Sequence, residues 1–120
     1  HVGKEARKQS SLLIIRKIKE IVGEQPAVLT GDFNITDQTE AYHTLVSNEF
    51  VLLDAHKVAE KTAGASYTYH GYATVAPEKC SKIDFVFVTP NIKVLHSEIT
   101  PEVKEALLSD HNPQWTDLEF

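Results

Sequence analysis

Two polar side chains follow a short apolar run in the first third of the chain. Residues 27–30 have the composition of a buried strand, and Asp32 and Asn34 lie just beyond it. Gly31 lets the backbone turn sharply there or approach a ligand closely. A strand that opens into a loop is also a usual place for active-site groups in α/β proteins. Asp and Asn equally favour ordinary turns, because they hydrogen-bond the local backbone, so both interpretations stay open.

A second carboxylate, Asp84, lies inside the β-branched and aromatic stretch of residues 83–88. This stretch predicts a strand, and apolar residues flank Asp84 on both sides. A carboxylate in such a position rarely lacks a partner, because an unpaired buried charge costs free energy. The partner is either a lysine or backbone amides, in a structural role, or a histidine whose tautomer the carboxylate fixes.

The tripeptide Ser109, Asp110 and His111 combines the residue types of a serine hydrolase. Adjacent side chains point apart, so these three cannot readily converge into a catalytic triad. The nearest approach to a Gly-x-Ser-x-Gly motif, residues 64–68, lacks the second glycine. Serine hydrolase chemistry is therefore not expected. The tripeptide is either an ordinary loop or the source of one carboxylate for a hard cation and one imidazole beside it.

Aromatic side chains concentrate in residues 67–72, which contain three tyrosines and a histidine next to a glycine. Such groups could stack on a substrate or hydrogen-bond to it, and Tyr69 and His70 are the substrate-binding candidates. A strand edge with core-facing tyrosines is the other interpretation. Three further histidines lack ligand spacing and are interpreted as surface or local structural residues: His43, His56 and His96.

Composition narrows the class of protein and of ligand. The 120 residues include 12 basic and 17 acidic side chains, a formal charge of −5, and 42% are hydrophobic. These values fit one folded domain or part of one, whereas polyanion binding through bulk charge needs a basic excess. A phosphate ligand would require a local device such as a metal ion. One cysteine, Cys80, excludes an internal disulfide and a cysteine-cage zinc site, and no run approaches the roughly 20 apolar residues of a membrane span.

The charge is distributed unevenly. Residues 1–20 hold six basic and two acidic side chains, a local charge of +4, so the remaining hundred residues carry −9. Charge runs of this kind are usually the solvated face of a helix, and we interpret the segment in that way.

Periodicity predicts two helices. Apolar residues at three- and four-residue spacing predict a helix over 4–22, which Gly23 ends. Asp37 followed by Glu40 resembles a capping box and predicts the start of a second helix over 38–47.

Strands are predicted at 27–30, 67–69, 83–88, 92–99 and 114–120. Residues 50–53 are a strand or a turn, residues 101–108 form a short acidic segment, and most of 55–82 is irregular. Helix, strand, helix and then several strands indicate an α/β or α+β layer arrangement.

The order of three motifs resembles that of the endonuclease/exonuclease/phosphatase superfamily, the deoxyribonuclease-I-like group. Gly-Asp-Phe-Asn ends a strand at 31–34, Lys-Ile-Asp-Phe lies on a later strand at 82–85, and Ser-Asp-His lies at 109–111. The resemblance covers essentially all 120 residues in order. The superfamily includes abasic-site endonucleases, neutral sphingomyelinases, inositol polyphosphate 5-phosphatases and deadenylases.

The resemblance implies a role for each candidate residue. Asp32 would orient or deprotonate the attacking water, and Asn34 would hydrogen-bond the scissile phosphate. Asp110 would help to bind Mg²⁺ or Mn²⁺, directly or through water. His111 would contact the phosphate or transfer a proton, with Asp84 holding its ring. Phosphoester hydrolysis needs these parts: a positioned water, a cation, and donors to the phosphate oxygens.

The resemblance also implies that residues 1–120 are the C-terminal portion of a longer domain. Members of the superfamily begin with another half, which carries an asparagine, the principal metal-binding glutamate and a histidine motif. The implied α/β (α+β) fold is half of a four-layer α/β/β/α sandwich, a mixed, mainly antiparallel sheet with helices on one face. The strands at 27–30 and 83–88 would then present an apolar face, so we expect self-association or pairing with the N-terminal half.

The implied function is divalent-metal-dependent hydrolysis of phosphate esters, by a phosphodiesterase or nuclease or by a phosphatase. The substrate would be a nucleic acid, a phospholipid headgroup or an inositol phosphate, and the −5 charge mildly disfavours long duplex DNA. Without the other half, the isolated chain is expected to be inactive. The alternative is a non-catalytic binding or assembly domain that retains the fold, although such a domain has no need of this set of polar residues.

Overall fold

The computed structural model describes residues 2–47, 52–101 and 107–120. Within them lie three α-helices, six strands and one 3-10 turn at Pro77–Lys79. The helices are α1 (Val2–Val22), α2 (Glu40–Val46) and α3 (Ala55–Val58). The strands are β1 (Val28–Asp32), β2 (Leu53–Asp54), β3 (Lys61–Gly64), β4 (Asp84–Val88), β5 (Lys93–Ile99) and β6 (Gln114–Glu119).

Both predicted helices are confirmed, but α2 begins differently from the prediction. Its N-cap is Thr39, whose Oγ1 accepts a hydrogen bond from the N–H of Tyr42 at 3.2 Å. The prediction that Asp37 caps this helix is therefore wrong. The Asp37 carboxylate instead pairs with Lys57 Nζ of α3 at 2.9 Å. Threonine and aspartate are both good caps, because each offers a side-chain oxygen to a free N–H of the first turn.

The strands form two three-stranded sheets. In the first, β4 lies between β1 and β2 and is antiparallel to both. In the second, β5 lies between β3 and β6, parallel to β3 and antiparallel to β6. The α/β class and the mixed, mainly antiparallel pairing are confirmed. The pairing is divided between two sheets. Pro113, just before β6, has no N–H, so it cannot donate a hydrogen bond to a neighbouring strand.

Helices α1 and α2 cover one face of the first sheet. Phe85 and Phe87 of β4 are buried there with ring centroids 5.4 Å apart, and the ring of Tyr42 from α2 lies 5.4 Å from Phe85. Three isoleucines of α1 pack against this cluster: Ile14, Ile15 and Ile18. Because side chains alternate along a strand, Asp84 and Val86 point to the opposite face.

A second apolar cluster connects the first sheet with β5. Val88, at the end of β4, packs with Ala55 of α3 and with Ile92 and Val94. Leu118 of β6 lies against the same cluster. The two clusters hold β4 at the centre of the molecule, which fixes the position of Asp84 at its start.

The apolar face expected on the strands at 27–30 and 83–88 is mostly covered within the chain. On the face opposite the helices, Val88 is buried, Val86 is half-buried, and Val28 is the exposed large apolar side chain that these two strands contribute in the described residues. One exposed side chain does not make an interface patch. The structure therefore gives little support to self-association through this face.

Residues 55–82 contain more regular structure than predicted, because α3 and β3 both lie there. Each has four residues, which is too short to show a periodic pattern. The predicted strand at 67–69 is reduced to isolated bridges from Tyr69 to Ser81 and to His111.

Two predicted segments lie partly outside the described residues. Of residues 50–53, the described part includes Leu53, which begins β2. Of residues 101–108, positions 102–106 lie outside. In the described parts of the chain, no helix is long and apolar enough to span a membrane.

Candidate active site

Asp32 and Asp84 face each other across the pairing of β1 with β4. Their Cα positions are partners in the register, at the last residue of β1 and the first of β4. Partner residues of an antiparallel pair point to the same face of the sheet. Since Phe85 points into the helix-covered core, the two carboxylates point to the other face. The sequence predicted both residues but not that they would be directly opposite.

His111 lies between the two carboxylates. Its Nδ1 is 2.6 Å from Asp84 Oδ2, and its Nε2 is 3.8 Å from Asp32 Oδ2. An ionised carboxylate can only accept, so Nδ1 donates its proton to Asp84. Of the two partners considered for this carboxylate, the histidine is therefore the one in contact. Lys82 Nζ donates to the backbone carbonyl of Asp84 instead, at 2.9 Å.

These carboxylates favour the protonated form of His111. Partial burial of the ring opposes protonation, but the hydrogen bond to Asp84 and the charges of Asp84, Asp110 and Asp32 outweigh it. The pKa of His111 is therefore raised above its ordinary value. A histidine with a raised pKa can donate a proton or a charged hydrogen bond near neutral pH.

The same three side chains form a group that could hold a metal ion. One ligand atom from each of Asp32, Asp84 and His111 lies within 4.8 Å of the others. Carboxylate oxygens suit Mg²⁺ and Mn²⁺, whereas imidazole suits softer ions and here already donates Nδ1–H to Asp84. The donor set therefore fits a hard divalent cation held through the carboxylates.

Asp110 lies beside this group but is not one of its members. Its backbone carbonyl accepts hydrogen bonds from the N–H groups of His70 and Gly71 at 3.0 and 3.1 Å. Ser109 Oγ accepts from the N–H of His111 at 3.1 Å, a local turn that holds the tripeptide. Metal binding by Asp110 stays a prediction.

Asn34 is exposed in the loop after β1. Its N–H donates to Asp32 Oδ1 at 2.9 Å, and its φ of 52° lies in the left-handed region, which asparagine tolerates better than most residues. The turn interpretation of this motif therefore holds. The turn also keeps Asn34 beside Asp32, so it does not exclude a role in an active site.

Tyr69 reaches the site and His70 does not. The ring of Tyr69 meets that of His111 edge-on, with centroids 5.2 Å apart. His70 is 6% exposed, and its Nδ1 accepts a hydrogen bond from the N–H of Ala73 at 3.2 Å. His70 lines a separate cavity of about 200 Å³ together with Cys80. Substrate binding by either residue stays a prediction.

Thr68 is a residue of the site that sequence reasoning missed. It is fully buried, and its Oγ1 accepts hydrogen bonds from the N–H groups of Ile83 and Asp84 at 3.0 and 3.2 Å. Its carbonyl accepts from the N–H of Asn112 at 2.6 Å, and the Asn112 side chain donates to the carbonyl of Tyr67. The only signal in the sequence was a polar residue between two tyrosines.

Lys82 was also missed as an individual residue. Its Nζ lies 3.6 Å from the ring centroid of Phe85 and donates to the carbonyl of Asp84. Burial lowers the pKa of Lys82 to about 8, against the opposing charges of Asp54, Asp84 and Asp37. The partly buried ammonium group, which lies over the ring of the buried Phe85, thus stabilises the start of β4.

A cleft of about 250 Å³ lies on the carboxylate face, where the two sheets meet. It is lined by Asp32 and Asp84 from the first sheet and by residues 112–114, which lead into the second. The site therefore opens to solvent at the junction of the two sheets.

Known protein families include one that matches most of the chain. The sequence pattern of the family described as Endonuclease/Exonuclease/phosphatase family matches residues 6–111. No curated protein matches the chain.

Several solved structures share the fold. An endonuclease/exonuclease/phosphatase from Bacteroides vulgatus is 62% identical with a TM-score of 0.93, over 97% of this chain and 44% of its own. A mannosyl-6-phosphatase from Bacteroides thetaiotaomicron is 32% identical with a TM-score of 0.83, over 100% and 48%. The human Nocturnin catalytic domain with bound sulfate, at 17% identity and a TM-score of 0.76 over 98% and 42%, shows likeness of fold alone. The chain spans less than half the length of each.

Proposed function

The chain belongs to the endonuclease/exonuclease/phosphatase family, and we propose that it carries part of the active site of a divalent-metal-dependent hydrolase of phosphate esters. The observation that supports this most directly is the cluster in which His111 lies between Asp32 and Asp84. A binding domain without catalysis has no need to hold an imidazole between two carboxylates. A histidine with a raised pKa beside carboxylates that line a cleft is typical of catalytic sites.

Each side chain has a chemical task in this proposal. Asp32, at the exposed side of the cluster, orients the attacking water and accepts its proton. Asp84 holds Nδ1–H of His111, so that Nε2 lies on the side of Asp32 and donates to a phosphate oxygen. Asn34 donates its amide to a second phosphate oxygen. Together these groups position the water and stabilise the charge that develops in the transition state.

The proposed cation is Mg²⁺ or Mn²⁺. Such an ion would offset the negative charge that develops on the phosphate as the water attacks. Asp32 is able to hold it, whereas Asp84 is engaged with His111, and Asp110 is proposed as a further ligand, direct or through water. The cation would also reduce the repulsion between an anionic substrate and the two carboxylates.

We propose that the remaining ligands belong to the part of the fold that residues 1–120 do not match in the relatives, since these residues cover 44% and 48% of two of them. The 120-residue chain alone is then inactive, and pairing with the N-terminal half completes the site.

The test measures hydrolysis of p-nitrophenyl phosphate, a monoester, and bis(p-nitrophenyl) phosphate, a diester, with and without Mg²⁺. It uses the 120-residue chain and a longer polypeptide that includes it. We expect activity in the longer protein, with His111→Ala lowering kcat by roughly 10²–10⁴. His43→Ala, at an exposed position of α2, is the matched control and should keep full activity.

Two results would contradict the proposal. One is hydrolysis that His111→Ala leaves unchanged. The other is full activity after the divalent cations are removed with a chelator. The ratio of monoester to diester rates then tells a phosphatase from a phosphodiesterase.

A further inference from the structure

A groove extends along the N-terminal part of α1, from the candidate active site to the start of α2. Two cavities of about 430 and 340 Å³ form it. The larger is lined by Asp32, Asn34 and Arg7, and the smaller by Asn34, Arg7 and Lys4. Because Asn34 and Arg7 line both cavities, the two form one groove, and its larger cavity shares Asp32 with the cleft on the carboxylate face. Cavities of this size accommodate small-molecule ligands.

Lys4 and Arg7 place two positive charges in this groove. Within the described residues, neither side chain forms an ion pair with a carboxylate. Their neighbour Lys8 does pair, with Glu40 at 2.7 Å, and so neutralises the carboxylate that lines the smaller cavity. The far end of the groove is therefore positively charged, although the chain as a whole carries −5.

The basic segment at residues 1–20 thus has two parts. Arg16 and Lys19 are exposed and line neither cavity. They agree with the solvated helix face that the sequence predicted. Lys4 and Arg7, one helical turn apart, both line the groove. A guanidinium and an ammonium on one helix face are the groups that bind a phosphate most effectively.

We propose that Lys4 and Arg7 bind a second phosphate group of the substrate, held away from the scissile phosphate by the length of the groove. This rests on the proposed function, because it assigns the groove to the same site. The substrate class is then a phosphate ester that carries a further phosphate, bridged to the first by an organic part that lies along the groove. Attraction at Arg7 offsets the repulsion that an anion meets at Asp32.

Calorimetric titration of the 120-residue chain tests the proposal with two probes, hexyl phosphate and 1,6-hexanediol bisphosphate, in Mg²⁺ buffer at about 0.15 M salt. The probes share one alkyl phosphate, and the flexible six-carbon chain allows the second phosphate to reach sites at different distances. We expect the wild type to bind the bisphosphate about tenfold more tightly, as one added charged hydrogen-bonding group provides.

Lys4→Met with Arg7→Met should remove that tenfold advantage and leave the affinity for hexyl phosphate unchanged. Methionine keeps helix propensity, so α1 should form in the variant, as circular dichroism would verify. Arg16→Met with Lys19→Met removes the same charges from the same helix outside the groove and should keep most of the advantage. Arg7→Lys, which retains the charge, should also keep most of it.

Three results would overturn the proposal: equal affinity of the wild type for the two probes, an advantage that survives in the Lys4 and Arg7 variant, or equal loss in both double variants. The last would mean that the charge of the whole helix attracts the anion. A failure of the proposed function looks different. Hydrolysis would then be insensitive to His111→Ala while the bisphosphate advantage persisted.

Discussion

Thr68 Oγ1 accepts a hydrogen bond from the N–H of Asp84 at 3.2 Å, across 16 positions of the sequence. The carbonyl of the same threonine holds the N–H of Asn112, which directly follows His111. The fully buried Thr68 therefore holds Asp84 directly and His111 through its neighbour Asn112. We regard Thr68 as a positioning residue, because it acts on the cleft only through Asp84 and His111.

Thr68→Val keeps the shape of the side chain and removes the oxygen. Two part-buried N–H groups, of Ile83 and Asp84, then lose their acceptor, and we expect a loss of about 1–3 kcal/mol in the free energy of unfolding. Thr68→Ser keeps the acceptor and should retain more stability and more activity. Urea denaturation of both variants measures the effect, and a valine variant as stable as the serine variant would contradict it.

His111 and Asp84 are expected to act as one unit. In the complete protein, His111→Ala should cost roughly 10²–10⁴ in turnover, and adding Asp84→Ala should cost little more, because groups that act together are non-additive. The measurement is kcat for the wild type, both single variants and the double variant. Losses that multiply in the double variant would show two independent roles.

Asp110 and Asn34 should differ in their response to metal. Asp110→Ala is expected to raise the Mg²⁺ concentration needed for half-maximal activity, since a carboxylate suits a hard cation. Asn34→Ala should lower turnover with little change in that midpoint, because an amide suits a phosphate oxygen. Metal titrations of both variants provide the check. An Asp110→Ala midpoint equal to that of the wild type would remove Asp110 from the metal site.

Lys82 should make stability depend on alkaline pH. Burial lowers its folded-state pKa to about 8, whereas the unfolded chain keeps the ordinary value of 10.5. Between these values the unfolded state binds more protons, so the free energy of unfolding rises with pH, by up to about 3 kcal/mol. Lys82→Met keeps the contact with Phe85 and should lack this rise. Urea denaturation at several pH values measures the free energy of unfolding, and the same pH dependence in the wild type and the variant would contradict the expectation.

The sequence predicted the parts of the site that carry a local signal. Residues 83–88 are β-branched and aromatic, so β4 was clear, and Asp84 stood out as the polar exception within it. Asp32 was a candidate because it follows Gly31 directly after an apolar run that predicted a strand. Such signals depend on near neighbours in the chain, and near neighbours determine strands and turns.

The missed features depend on partners that are distant in sequence. Thr68 accepts hydrogen bonds from Ile83, Asp84 and Asn112 only in the folded chain, and the residues next to Thr68 in the sequence give no sign of these contacts. The pKa of Lys82 differs from that of a surface lysine because the fold partly buries its ammonium group against Phe85. The capping error arose because Asp37 and Thr39 are both suitable caps and lie two positions apart, and in the fold Asp37 pairs with Lys57 while Thr39 caps α2.

Asp32 and Asp84 are directly opposite each other although 52 positions separate them in the chain. A shift of β1 against β4 by one residue would turn one carboxylate to the wrong face, so the ladder tolerates no slippage. Parts of the intervening segment support this pair, since β2 pairs with β4 and Thr68 holds the N–H of Asp84. Residues 72–74 form an exposed turn that does not belong to the ladder. Loops of new length and composition could therefore be grafted at this turn to alter which substrates enter, without redesigning the groups that act on them.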